Sequence, residues 1–209
     1  YQATDPEVFQ GGVGNIPESE IIGAELELSA FLSDSVILDL RLAWLDTEIT
    51  ADHLALDNVQ SEAAGNALIG QGFNLFSNEI QVARSAAVQN VNGNELAKTP
   101  EFTGNIALNW NKSIIAGEVN SSLQYIYRGE FKHRIFNNAV TDTVPSYDVI
   151  DLVVGFRPEG KDWRLELIAK NLTDEDGVNA RFTDVFGVGA TGDELIGPRQ
   201  FMARFSMEF

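Results

Sequence analysis

The residues that could do chemistry are few, and they lie in segments without strand or helix periodicity. The chain holds two histidines, His53 and His133, and no cysteine. The missing thiol excludes disulfides, thiolate metal sites and a cysteine nucleophile. A loop histidine can bind a metal or a metal-bearing ligand, but neither histidine belongs to a cluster with metal-ligand spacing. We therefore interpret both as solvent-exposed polar residues.

Two other motifs resemble ligand-binding sequences, but the residues around them do not match those of known sites. The run Gly187–Gly192 has the spacing G-x-G-x-x-G, but a dinucleotide site needs a preceding strand and a following helix, and the remaining residues alternate like a last strand. Asp174, Glu175, Asp176 and Gly177 could offer oxygens to calcium, yet the later glutamate of an EF-hand is absent. We interpret both segments as solvated loops. The sequence predicts no catalytic, cofactor-binding or metal-binding residue, and no enzyme.

The charge balance excludes one class of partner. Lys and Arg number 14 against 31 Asp and Glu, a formal net charge of −17. DNA or RNA would be repelled, so we expect no nucleic-acid binding. The sequence contains no run of 18 apolar residues, so no transmembrane helix is predicted. Strands with alternating apolar and polar residues could still cross a membrane. Tyr1–Asp5 lacks the features of a signal peptide, so an exported protein would have its beginning elsewhere.

The elements that must position these residues are strands, because apolar side chains recur with period two. Seven strands are predicted: Glu20–Leu32, Val36–Ile49, Glu101–Asn111, Ile114–Arg128, Asp148–Arg157, Asp162–Leu172 and Arg199–Phe209. The polar face of each strand carries charges that we expect to form cross-strand pairs on an inner wall: Asp39, Arg41, Glu118, Arg164, Glu166 and Arg204.

The connections alternate strictly in length. Tight turns are predicted at residues 33–35, 111–113 and 158–161, and long loops at Thr50–Pro100, Gly129–Tyr147 and Thr173–Pro198. One weak helix is predicted over Ala51–Ala64. The alternation puts every short turn at one end of the sheet and every long loop at the other, as in outer-membrane barrels.

Aromatic residues decide between a soluble β-sandwich and a membrane barrel. On the apolar face, one group lies near the short turns (Trp110, Phe156, Trp163, Phe209) and another near the long loops (Trp44, Phe102, Tyr125, Tyr127, Phe201). Aliphatic residues occupy the middle. Rings prefer the two interfaces of a bilayer, whereas a soluble core does not sort them by height. Strands of about ten residues also suit a bilayer crossing. We therefore predict an all-β, antiparallel, up-and-down transmembrane barrel.

Seven strands cannot close such a barrel, because an open edge in hydrocarbon leaves backbone groups unpaired. Bacterial single-chain barrels also have an even strand count. We expect the chain to be one part of a larger barrel. Tyr1–Gln2 is predicted to end an earlier strand, and Ala3–Ser19 to form an external loop.

Four segments carry short motifs at the ends of predicted strands. Ile21–Leu28 contains I-x-G-x-E-x-E, and Gly93–Pro100 has the pattern G-x-x-L-x-x-x-P before a descending strand. Both resemble segments of TonB-dependent receptors. Asn171–Asp174 resembles the N-L-x-D end of the penultimate strand, and Gly197–Phe201 resembles the G-x-P-R final strand, with one residue fewer between Gly and Pro. The four occur in the family's order and at the matching strand ends.

The resemblance implies that residues 1–209 are the C-terminal part of the barrel domain, the last seven strands of a 22-stranded barrel with an internal plug. It implies a place in the bacterial outer membrane, with long loops extracellular and short turns periplasmic. The implied partners are lipid and lipopolysaccharide, the remaining strands and plug, and the inner-membrane TonB complex, reached through the N-terminal part. Phe201, Phe205 and Phe209 are similar to the signal read by the barrel-assembly machinery, or are lipid-facing girdle residues.

The implied function is energised uptake of a scarce nutrient: an iron–siderophore, cobalamin or an oligosaccharide. Two alternatives stay open. A passive porin would lack the plug, and a barrel anchor would use its external loops to bind a partner protein.

Overall fold

Strands dominate the computed structural model, which describes residues 2–5, 10–184 and 190–208. Two helices interrupt them. In chain order the elements are β1 (Gln2–Asp5), β2 (Gln10–Val13), β3 (Ser19–Ser33), β4 (Val36–Ile49), β5 (Leu54–Leu56), α1 (Asn58–Gly70), α2 (Asn78–Ser85), β6 (Val88–Asn90), β7 (Phe102–Ile114), β8 (Gly117–Arg128), β9 (Phe131–Lys132), β10 (Thr143–Val144), β11 (Tyr147–Pro158), β12 (Trp163–Lys170), β13 (Val178–Thr183), β14 (Thr191–Leu195) and β15 (Gln200–Met207).

Seven of these strands form one antiparallel sheet in the order β15-β12-β11-β8-β7-β4-β3. Every neighbouring pair is consecutive among the long strands, so the sheet is an up-and-down meander. The seven predicted strands are confirmed, and β4 has both predicted ends. The short strands form four separate two-stranded sheets. Gln2 belongs to one of these, β1–β2, and not to the large sheet, while Tyr1 lies outside the described residues.

The predicted turn at residues 111–113 is wrong. Strand β7 continues to Ile114, which pairs with Gly117, and the turn is Ile115-Ala116. Gly117 has φ +142°, a conformation that side chains with a Cβ rarely adopt. A Cβ at this position would also collide with the Arg157 carbonyl oxygen, so the residue that follows the turn must be a glycine.

The helix prediction over Ala51–Ala64 is also wrong in position. Helix α1 begins at Asn58 because the Asp57 carboxylate accepts a hydrogen bond from the Val59 amide at 3.0 Å and caps the helix. Helix α2 was not predicted at all. Both helices belong to the connection between β4 and β7.

The apolar face of the large sheet is not covered by any other described element. Leu28, Leu40, Ile106, Tyr125 and Ile150 are direct neighbours across five strands. Leu28 and Ile106 nevertheless remain 48% and 40% exposed. A soluble sandwich would bury this row beneath a second sheet. An apolar surface of this extent instead marks contact with lipid or protein.

The aromatic residues lie at the two heights that the sequence predicts. Trp110 pairs with Val36, the first residue of β4, beside the short turns. At the same end Trp163 stacks against Phe156 and Phe205, with ring centroids 6.3 and 5.8 Å apart. At the other end Trp44 lies opposite Phe102. Phe209 lies outside the described residues.

The opposite face carries the charges. Glu166 pairs with Arg204 at 3.2 Å and with Arg164 at 3.8 Å, and Arg41 approaches Glu27 at 3.7 Å. Three of the six predicted charged residues thus share one cluster.

The other two charges on this face differ from the prediction. Asp39 accepts hydrogen bonds from Ser29 at 2.6 Å and Asn109 at 2.7 Å, and Glu118 lies in register with Arg157 without an ion pair among the described residues. These contacts make the face polar and internally bonded. In the described part of the chain, no helix is long and apolar enough to cross a membrane.

Candidate ligand-binding site

The three long connections meet at one end of the large sheet. We call them together the loop cluster: the described residues of 50–101, 129–146 and 171–199. The buried apolar residues concentrate here rather than along the sheet. Ile49 and Val91 are fully buried and pack with Ala55, Ile135 and Phe136. The first two connections therefore share one small core, built where the sheet ends.

Arg134 joins the first connection to the second. Its Nη1 donates to Oδ1 of Asp57 at 2.7 Å, and its Nε donates to Oδ1 of Asp142 at 2.7 Å. Both carboxylate side chains have no exposed surface, and Arg134 is 11% exposed. Asp57 also caps α1, so the same carboxylate fixes the helix and the loop contact. A charge buried to this extent is stable only while it is paired and hydrogen-bonded.

Arg181 joins the second connection to the third, and Arg128, the last residue of β8, joins the sheet to the third. Arg181 binds Asp193 through two hydrogen bonds of 2.6 and 2.8 Å and donates a third to the Thr143 carbonyl at 2.7 Å. Such bidentate pairs have the strongest geometry among ion pairs. Arg128 donates to the carbonyls of Val178 and Asn179. Arginines therefore tie all three connections into one unit.

His133 lies inside this unit, so its predicted exposure is wrong. It is 7% exposed, and its Nε2 lies 2.9 Å from Oγ1 of Thr183. Burial lowers the pKa of His133, the nearby Asp142 carboxylate opposes this effect, and the cations of Arg134, Arg181 and Lys98 lower the pKa further. The imidazole is therefore neutral at pH 7 in the folded loop cluster.

This neutral histidine predicts that the loop cluster loosens in mild acid. Because the folded pKa of His133 is below the unfolded value of about 6.5, the unfolded loop binds more protons there, so stability is lost as pH falls below about 6.5. Hydrogen exchange of residues 129–146, corrected for the intrinsic pH dependence, should show more opening at pH 5.5 than at pH 7.5. His133→Gln should remove most of this difference, and His53→Gln should keep it. An unchanged pH response in His133→Gln would contradict the assignment.

A cavity of about 510 Å³ opens between the connections. Its lining includes three cations, one histidine and two phenylalanines: Lys98, Arg134, Arg181, His133, Phe136 and Phe182. Its size is in the range of small-molecule sites, which combine apolar walls with a few placed polar groups. The chemistry it offers is binding rather than catalysis.

The other residues weighed from the sequence do not join this cavity. Asp174 pairs with Arg199 at 3.2 Å, and His53 contacts Val91 and Asn90 through its backbone. Gly187, Val188 and Gly189 lie outside the described residues. Within the described ranges, no group of three or more His, Cys, Asp or Glu residues could hold a metal ion.

Sequence reasoning missed Arg134, Arg181 and Asp57. Asp57 and Arg134 are 77 positions apart in the chain, so no local spacing marks them. The one available signal was the presence of cations in the long loops of a strongly acidic chain.

Comparison with known proteins supports this architecture. The chain matches the family model described as TonB dependent receptor-like, beta-barrel, over residues 1–172. No curated protein matches it by sequence. Among solved structures, it resembles the ferric yersiniabactin uptake receptor FyuA from Yersinia pestis, with 13% identity and a TM-score of 0.65 over 91% of this chain and 24% of that one.

Two further structures show the same fold. One is BauA, the ferric preacinetobactin receptor from Acinetobacter baumannii, with 16% identity and a TM-score of 0.58 over 91% of this chain and 22% of that one. The other is the ferric citrate transporter FecA in its unliganded form, with 14% identity and a TM-score of 0.52 over 84% and 21%. The chain thus spans about a quarter of the length of these receptors.

Receptors of this family are outer-membrane barrels, and neither the family nor these structures are enzymes. The family match over residues 1–172 covers six of the seven strands of the large sheet and the alternating turns and loops between them. The chain belongs to the TonB-dependent receptor-like β-barrel family.

Proposed function

We propose that this chain forms the C-terminal strands of an outer-membrane transporter that takes up a scarce nutrient with energy from the TonB complex. The observation that carries the proposal is the family match over residues 1–172. The three similar structures are described as receptors or transporters of ferric yersiniabactin, ferric preacinetobactin and ferric citrate. Among the iron–siderophore, cobalamin and oligosaccharide classes, an iron chelate is therefore our first choice.

The sheet supports a larger barrel. Strands β3 and β15 have a neighbour on one side only among the described residues. In hydrocarbon each unpaired backbone group would cost several kcal/mol, so both edges need further strands. A 22-stranded barrel would supply them and enclose a plug domain against the charged face.

The loop cluster supports an orientation of the barrel in which this end faces the outside of the cell. In barrels of the outer membrane the long loops are extracellular and the short turns periplasmic. The cavity between the arginine-tied connections would then face the medium, where a nutrient is captured. Energy from the inner-membrane complex would act on the plug, which lies in another part of the protein. Lipid and lipopolysaccharide would cover the apolar face.

The chief test of the function is solute flux through the full-length protein in liposomes. We expect no swelling with sugars of graded size, because a plug closes the lumen. In cells, uptake of radiolabelled ferric chelates from spent culture medium should stop when the gene for TonB is deleted. Free, size-limited leakage, or uptake that persists without TonB, would show a passive porin instead.

One observation favours a second role as a partner-binding anchor. The segment between α1 and α2 carries exposed apolar residues, with Phe76 at 79% and Phe73 at 40%. Deleting residues 63–83 separates the roles, since a transporter should keep its uptake while an anchor would lose its partner.

A further inference from the structure

The cavity in the loop cluster has an unusual balance of charge. Lys98, Arg134 and Arg181 line it, and none of its described lining residues is Asp or Glu. The whole chain has 14 basic residues against 31 acidic ones. The cavity wall is therefore rich in cations, whereas the chain as a whole is strongly acidic.

The carboxylates that neutralise the two arginines lie away from the cavity. Asp57 and Asp142, the partners of Arg134, have no exposed surface, and Asp193 accepts hydrogen bonds from Nε and Nη2 of Arg181. None of these three acids lines the cavity. They fix the arginines in place and offset much of the guanidinium charge, so Lys98 is the lining cation without a carboxylate partner among the described residues.

Lys98 gives the cavity a cation that is not used inside the protein. Its side chain is exposed, and it makes no ion pair within the part of the chain that the structure describes. Its backbone has φ 65° and donates a hydrogen bond of 2.7 Å to the Lys132 carbonyl, which fixes where the side chain leaves the loop. A positioned ammonium group of this kind binds a carboxylate or phosphate with a charge-assisted hydrogen bond.

The rest of the lining is apolar and aromatic. Phe182 is 67% exposed although it belongs to strand β13, and Phe136 lies beneath the Arg134 guanidinium with 5.1 Å between that group and the ring centroid. An exposed ring beside cations suits a ligand that has both an apolar part and a negative charge. Inorganic anions would use only half of this surface.

We infer that the cavity binds an organic anion, with Lys98 and Arg181 holding its carboxylate or phosphate and Phe182 packing on its apolar part. The identification of this anion as the transported nutrient rests on the proposed function. The binding site itself does not.

Phenyl phosphate is the probe for this site, titrated into the detergent-solubilised full-length protein and followed by ligand-observed NMR. It should bind at least tenfold more tightly than benzyl alcohol, which lacks the charge, and than inorganic phosphate, which lacks the ring. Lys98→Glu should lower the affinity for phenyl phosphate at least tenfold. Lys161→Glu, in the turn at the opposite end of the sheet, should leave it unchanged.

A second variant isolates the aromatic contribution. Phe182→Ser should weaken phenyl phosphate severalfold and leave the binding of inorganic phosphate unchanged. Equal affinity of Lys98→Glu and the unaltered protein would overturn the inference, as would benzyl alcohol binding as tightly as phenyl phosphate.

The outcomes also distinguish the site from the proposed function. Leaky liposomes together with Lys98-dependent binding would refute active transport and keep the site. If the liposomes do not leak and uptake depends on TonB, but Lys98→Glu does not change the binding of phenyl phosphate, the proposed function stands and the binding site is refuted.

Discussion

Leu123→Arg is expected to destabilise the barrel in lipid. Leu123 lies in the middle of β8, with Leu108 and Leu152 as its cross-strand neighbours on the apolar face. If this face contacts lipid, an arginine at mid-depth costs about 2–4 kcal/mol. We expect a loss of that size in the free energy of unfolding of the full-length protein, measured by urea titration in lipid vesicles.

Gln124→Arg is the matched control. Gln124 is the next residue of the same strand, it points to the opposite face, and its neighbour across the sheet is Asp151. A new cation beside that carboxylate should change the free energy of unfolding by less than about 1 kcal/mol. Equal losses in the two variants would contradict a lipid-facing apolar surface.

Arg134→Met is expected to open the loop cluster while leaving the sheet intact. The change removes the cation from Asp57 and Asp142, two carboxylates without exposed surface. Breaking a buried pair by removing one partner costs about 3–5 kcal/mol, because the remaining charge has no compensation. Hydrogen exchange should therefore accelerate strongly in residues 57–90 and 129–146 and stay slow in β7.

Two further variants test whether the faster exchange in Arg134→Met is caused by the unpaired buried carboxylates. Arg199→Met breaks an exposed pair, in which Arg199 and Asp174 are 42% and 50% exposed, so it should cost less than about 1 kcal/mol. Asp142→Asn added to Arg134→Met removes one of the stranded charges and should recover part of the protection. If Arg134→Met exchanges like the unaltered protein, the loops are not held together by this residue.

The sheet could be predicted from the sequence because period-two patterning is a local property. In β4 the apolar residues alternate without interruption from Val36, and the structure gives the strand the predicted bounds. The turn after β7 could not be predicted from its composition. Asn111 and Ser113 are ordinary turn formers, yet strand β7 continues through them to Ile114, and the turn is followed by Gly117, where only a glycine fits.

The candidate site could not be predicted for a different reason. Its contacts join residues that are far apart in the chain, such as Arg134 with Asp57 and His133 with Thr183. Loops carry no periodicity that would indicate these pairs. Helix α1 was misplaced because apolar residues at helical spacing are poor in Asn58–Gly70, where Asp57 as N-cap sets the start. Helix α2 was missed because its eight residues are fewer than the window over which helical periodicity can be recognised.

The most direct measurement of the central claim is the accessibility of spin labels along β8 in lipid vesicles. These 209 residues contain no cysteine, so single cysteines at positions 119–126 can each be labelled once any cysteines elsewhere in the barrel are replaced. We predict an alternation: labels at 119, 121, 123 and 125, on the face of Leu123, collide with oxygen dissolved in the lipid, and labels at 120, 122, 124 and 126 do not. Odd positions shielded from both oxygen and a water-soluble nickel reagent would show a soluble sandwich core, and that result would contradict the assignment of this sheet to a membrane barrel.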